Sequence, residues 1–393
     1  MKKLRSITAA ILCMCIIFTG MTITAPADSE TQTVTGSDLG ANTGEVEALS
    51  EIEELRNENE KHFRMQDGSI KAVVYSQPVH YEKDGQWEDI DNRVVESDAQ
   101  NAEDMDGYEN RQNDLKVKFA KKAGNGKLVT LKKDGTSISW SYDRKAKGFA
   151  PKAQIETEKA QTDPLSAAVE NTSQTVRYED VEENVDFEYI LAGQTLKENI
   201  IVKQPLEDYH FAFSFKVNGV TPSVQSDGSI AFVSDAGKTV YTLPAPYMYD
   251  AEYLSSKAVA YQLEQTGNKK YTVTIEADAE WINAPERAFP VVIDPVVITE
   301  TTKGAIDTTF ITSAKPNANY GMNAEFLVGH ESSEYGTCRA LLQIQLPELN
   351  KGDMIVSAQL CVAAAADFYT SDTPDLQINA HMVKDAWDKD TVT

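Results

Sequence analysis

The sequence predicts an all-β protein made of antiparallel β-sandwich regions, and three observations carry that prediction. Short runs of four to seven residues alternate apolar and polar side chains, the period of a strand with one buried face. Asp-Gly dipeptides at Asp67-Gly68, Asp84-Gly85, Asp134-Gly135 and Asp227-Gly228 separate several of these runs, which is hairpin chemistry requiring a positive φ. After Phe63 no segment shows the spacing of an amphipathic helix, and strands without helices between them pair antiparallel.

The N-terminus stands apart. Lys2, Lys3 and Arg5 precede an apolar run from Ile7 to Ile23, and Ala25-Pro26-Ala27 offers a small-residue cleavage site, so residues 1–27 read as a signal peptide. An uncleaved anchor is the alternative, because no charge falls between Arg5 and Asp28. Residues 28–63 read as a Ser/Thr/Gly-rich tether followed by one short N-terminal helix. Val46, Leu49, Ile52 and Leu55 recur there every three residues, a stripe that drifts around a 3.6-residue helix.

Residues 64–160 form a β-rich N-terminal region containing "IKAVVYS", "LKVKFA", "KLVTLKK" and "SISWSYD". The polar stretch Glu158 to Gln174 reads as a loop, and residues 175–297 as a second β-sandwich region. There Phe211, Phe213 and Phe215 point one way, and His210, Ala212 and Ser214 the other. "ERAFPVVIDPVVITE" carries Pro290 and Pro295, which predict an extended connector and no central strand. Residues 301–393 form a separate module.

Charge and composition exclude several classes. The net charge of −24 disfavours nucleic acid and anionic membrane as partners. The five histidines are scattered without metal spacing, and no Walker loop or G-x-S-x-G elbow occurs, so the expectation is a protein that is not an enzyme. Beyond the leader only Cys338 and Cys361 remain, either as one disulfide or as two buried thiols.

Several stretches resemble a known family. "GSIKAVVYSQPVHYEKDGQWEDIDNRV", "VRYEDVEENVDFEYILAGQTLKENIIVKQP", "YTLPAPYMYDA" and "EWINAPERAFPVVIDPVV" are similar to the N-terminal parts of secreted, wall-associated RHS/YD-repeat proteins of Gram-positive bacteria. The last module resembles a DNRLRE domain, or carbohydrate-binding module family 96, through Asp307-Thr308-Thr309, Asn319-Tyr320-Gly321, Leu327-Val328-Gly329, Arg339-Ala340-Leu341-Leu342, Leu346-Pro347 and Ser357-Ala358-Gln359-Leu360. The resemblance implies an incomplete jelly-roll β-sandwich, because Trp387 and Thr391-Val392-Thr393 match a strand that the family continues into further strands. It also implies RHS repeats and a C-terminal toxin in the whole protein.

Within that module Tyr320, His330 and Arg339 are the candidate ligand-binding residues, since sugars are held by a flat aromatic and planar donors. No cofactor is expected; Asp367, Asp372 and Asp375 are candidate ligands for a structural calcium ion, or simply part of a solvated loop. Tyr247 and Tyr249 offer a further stacking surface, or simply a pinned sandwich edge. The sequence thus leads to a secreted, non-catalytic protein attached to extracellular or cell-wall polysaccharide, with no membrane contact after leader removal. The alternative is a structural spacer or presentation region, either of a toxin or of a secreted polysaccharide-degrading enzyme.

Overall fold

The computed structural model describes residues 15–19, 48–75, 77–97, 106–124, 126–143, 150–156, 171–251, 254–299, 306–320, 326–331, 335–349, 355, 357–361, 380–389 and 391–393. The chain divides into two compact units, Pro78–Thr302 and the pair of segments Met1–Gln77 with Lys303–Thr393. Strands dominate both, so the all-β expectation holds.

In Pro78–Thr302 one eight-stranded antiparallel sheet runs in the order Val259–Gly267, Lys270–Ala277, His210–Asn218, Thr136–Tyr142, Val129–Lys133, Lys116–Ala120, Gly107–Gln112, Asp91–Ser97. A second sheet runs Gln154–Ile155, Ser173–Glu182, Val185–Ala192, Thr195–Val202, Val296–Thr299, Thr239–Leu243, Ile230–Ser234, Val220–Val224. Val291–Asp294 also pairs with Thr195–Val202, and carries Tyr247–Tyr249 on its other side.

The two sheets share one apolar core. The alternating phenylalanines behave as their period requires: Phe211, Phe213 and Phe215 are buried, while His210 is exposed. Trp140, 1% exposed, stacks on Phe215 with centroids 5.3 Å apart and lies 6.5 Å from Tyr189 of the other sheet. Phe119 meets Tyr189 at 5.7 Å, and Tyr142 meets Phe187 edge-on at 4.8 Å. Each such ring removes enough apolar surface from water to contribute on the order of 2–3 kcal/mol. The cluster extends from Leu115 to Val297, so residues on both sides of the Glu158–Gln174 stretch pack into a single interior.

A polar lock fastens the sheets where apolar packing stops. Asn92 donates to the carbonyls of Thr172 and Gly193 at 2.7 and 2.9 Å. Asn113 donates to Gly193 O and Asn92 Oδ1, and Asn110 to Asn92 Oδ1 and Leu115 O. Gly193 turns at φ +51°, a conformation that costs a residue with a Cβ. All three asparagines are buried, and a buried amide is tolerated only when its hydrogen bonds are made.

Turn chemistry is realised as the dipeptides demand. Asp84 and Gly85 lie at φ 53° and 79°, and Asp134 and Gly135 at 52° and 72°. Asp227 closes its turn through its side chain, which accepts from Ser229 N and Oγ.

Three expectations change. The predicted N-terminal helix is instead a strand, Ala48–Glu51, a 3-10 turn, Glu53–Leu55, and a second strand, Glu60–Met65. The charges that suggested a helix surface pair across this turn: Arg56 Nε and Nη2 donate to the two Glu51 oxygens at 2.7 and 2.9 Å. Leu49 and Leu55 remain exposed and Ile52 is only half-buried, so the three-residue stripe makes no buried helix face. Second, Pro295 does not exclude a central strand. Val291–Asp294 and Val296–Thr299 flank it, the latter lying between Thr195–Val202 and Thr239–Leu243, and Pro295 O accepts from Glu198 N. A proline lacks only the donor, and its carbonyl keeps the ladder intact. Third, Thr391 to Thr393 form no strand; Val392 N donates to Asp388 O, and Asn319 Nδ2 ties down the carbonyls of Lys389 and Val392.

In the other unit Glu60–Met65 and Ile70–Tyr75 form an antiparallel pair, extended by Ala48–Glu51. Cys15–Thr19, inside the predicted leader, pairs with Ile70–Tyr75 and with Ser357–Cys361. Its apolar, β-branched residues suit a strand as well as a leader. The last module contributes Ile306–Thr312, Gly336–Ile344 and Gly329–Glu331 as a three-stranded sheet.

Candidate functional site

The most chemically loaded surface lies on the face of the second sheet that points away from the shared core. Direct pairing aligns Gln154 with Arg177, Arg177 with Glu188, and Glu188 with Asn199. Lys197 pairs with Val296 and Ile200 with Ile293, which places Asn199 opposite Asp294; Asp294 in turn pairs with Tyr247. Directly opposed residues of antiparallel strands share a face, so six polar side chains form one transverse row.

The middle of this row is buried: Glu188, Asn199 and Asp294 are all below a tenth exposed. Asn199 Nδ2 donates to Glu188 Oε1 at 2.9 Å, and Arg177 Nη2 to Asp186 Oδ2 at 2.8 Å. Lys203 Nζ reaches Asp186 at 2.7 Å. Burial raises the Asp186 carboxyl, but hydrogen bonds from Lys203, the Asp180 amide and Arg177 outweigh it and hold the group below its usual range. Lys197 Nζ lies 2.7 Å from Asp294 Oδ2, yet neither Asp294 oxygen is engaged in hydrogen-bond geometry. At the end of the row Tyr247 and Tyr249 stack, 6.0 Å apart and 27° from parallel.

Beneath this face sits a second group. Glu198 projects into the aromatic interior, where Tyr189 donates to it at 2.7 Å. Burial pushes its carboxyl up to about 8, against a smaller lowering from that hydrogen bond. Glu198 is therefore a neutral acid at pH 7. Neither group stands out in the sequence, because 61 carboxylates hide any pair and only register reveals which ones meet.

The residues predicted in the last module are placed differently. Tyr320 is buried and stacks on Phe310 at 4.2 Å, with Tyr335 edge-on. His330 pairs with Thr337, and Arg339, exposed, pairs with Ile311. The strand pairing thus brings the backbones of His330 and Arg339 near one another, while the Tyr320 ring is committed to the core. Cys338 is buried within Gly336–Ile344, and Cys361 ends the strand Ser357–Cys361. Asp367, Asp372 and Asp375 lie outside the described residues. Trp281 lies under the Arg287 guanidinium at 3.9 Å, and Arg287 donates to buried Asp250 at 3.0 Å, a clamp that holds the Tyr247–Tyr249 segment.

No protein-family profile matches the chain. It is 30% identical over 290 residues to the tRNA nuclease WapA of Bacillus subtilis strain 168, covering 72% of this chain and 12% of that protein. It is equally similar to the tRNA3(Ser)-specific nuclease WapA of Bacillus spizizenii, again across 12% of that protein. A wall-associated protein of Geobacillus stearothermophilus is 24% identical over 204 residues, or 51% of this chain and 75% of that one. These similarities support a wall-associated protein of the RHS type; they do not show a DNRLRE ending or carbohydrate binding. They also correct two expectations. The exclusions of catalysis and of a nucleic-acid partner are overturned by relatives named as tRNA nucleases. The physical argument failed because net charge and missing motifs describe only these 393 residues, and the 290 of them that match span 12% of such a relative. Among the described residues no helix is long and apolar enough to cross a membrane.

Proposed function

We propose that this chain is the β-structured portion of a wall-associated RHS-type protein whose activity as a whole is that of a toxin cleaving tRNA. The observation that carries this reading is the 30% identity across 290 residues to a tRNA nuclease of Bacillus subtilis. The physical character of Pro78–Thr302 agrees with it: two large sheets on one aromatic core make a rigid base for presenting a neighbouring domain outside the cell.

Attachment to wall polysaccharide is a finer part of the proposal. Arg339 is its exposed donor in the last module, beside the strand that carries His330. The test has two arms on the natural full-length protein. Extraction of the cell wall should release it, and the purified protein should cleave tRNA. Recovery only from the culture medium, together with intact tRNA after incubation, would remove the basis of the reading. Replacing Arg339 with Ala should weaken retention on purified walls about tenfold if that side chain makes a charge-assisted contact.

A further inference from the structure

We propose that the side chains of Lys197 and Asp294 join in an amide bond, an internal cross-link between Thr195–Val202 and Val291–Asp294. The inference is independent of the wall-associated reading and rests on geometry. Nζ and Oδ2 are 2.7 Å apart across neighbouring strands. The Asp294 side chain is 1% exposed and that of Lys197 21%. The two groups are diagonal neighbours on one face, since Asn199 stands opposite Asp294 by register.

Most buried carboxylates are held by several N–H donors. Asp294 is not: both its oxygens are buried and neither makes a hydrogen bond to a described residue. Among the described residues, the cationic group in contact with it is the Lys197 amine. Lysine is a nucleophile once its proton has left, and the 2.7 Å contact gives that proton a direct path from Nζ to Oδ2. Fixed contact between them replaces a bimolecular encounter, a gain that reaches many orders of magnitude in effective concentration.

The step is balanced without a co-reactant. A bond forms between Nζ and Cγ, and the bond from Cγ to Oδ2 breaks. The departing oxygen leaves as water, carrying two protons from the lysine ammonium, so an ion pair becomes a neutral amide. Glu188 is the carboxylate that register places diagonal to Lys197 on the same face, because Ile190 is the direct partner of Lys197. Its oxygens are turned to Asn199 and Arg177, so the proton passes from nitrogen to the leaving oxygen within the Lys197–Asp294 contact itself.

Peptide mapping of the folded full chain decides the matter. After denaturation and digestion, mass spectrometry should find one branched peptide containing both Lys197 and Asp294, lighter by one water than its two linear parts. Lys197→Arg and Asp294→Ala should each return separate linear peptides. The Lys197→Arg variant, which keeps the charge, should also melt at a lower temperature than the linked chain. Recovery of the two linear peptides from the unaltered, natively folded protein, with no branched species, overturns the proposal without any variant having to fold.

Discussion

Glu198 is the residue whose placement has the most direct consequence for solution behaviour. Its folded-state carboxyl, near 8, lies well above the ordinary glutamate value of about 4.5. The folded state therefore holds a proton that the unfolded state releases, and stability declines as pH rises through that interval. The contribution is complete below about pH 4.5 and lost by about pH 8 and above, on the order of 3–5 kcal/mol in all. Glu198→Gln keeps an acceptor for Tyr189 and cannot ionise. Its urea-unfolding free energy should be nearly flat between pH 5 and 9, roughly the interval in which the natural protein's falls. Trp140 provides the apolar counterpart. Trp140→Ala deletes a ring held against Phe215 and Tyr189 and should cost about 3–5 kcal/mol in the same measurement.

At the scale of elements, the strands were legible and their partners were not. The alternation of Phe211, Phe213 and Phe215 named a buried face, and Asp84-Gly85 and Asp134-Gly135 named two hairpins, because both signals act within a few residues. Nothing local says that Thr195–Val202 pairs with Val291–Asp294, and the transverse polar row exists only through that pairing. The apparent helix before Phe63 failed for the complementary reason: propensity in a short charged segment yields to ion pairs across a turn, as Arg56 and Glu51 show. Tyr320 read as a surface aromatic for want of knowledge that Phe310 would cover it. The asparagine lock supplies a test at this scale. Asn92→Ala withdraws donors from two buried carbonyls and should destabilise the unit by about 2–4 kcal/mol. Hydrogen exchange should quicken first around Gly193, where that lock holds the turn, ahead of Thr136–Tyr142.

For Pro78–Thr302 as a whole, interleaving is the controlling property. Strands from both sides of the Glu158–Gln174 stretch contribute to one interior, Trp140 and Tyr142 from the first part, and Tyr189, Phe187 and Phe215 from the second. A protease site engineered between Ile155 and Ser173 should therefore yield two pieces that co-elute in native size-exclusion chromatography and separate only in denaturant. Pieces that part without denaturant would show that the two stretches are independent domains.

The position of Val296–Thr299 also governs when this unit can form. That strand is inserted between Thr195–Val202 and Thr239–Leu243, so the second sheet stays divided until residue 299 has arrived. A chain emerging from its N-terminus thus holds no completed sandwich before that point. The lateness of its middle strand makes closure the last event in assembling the unit.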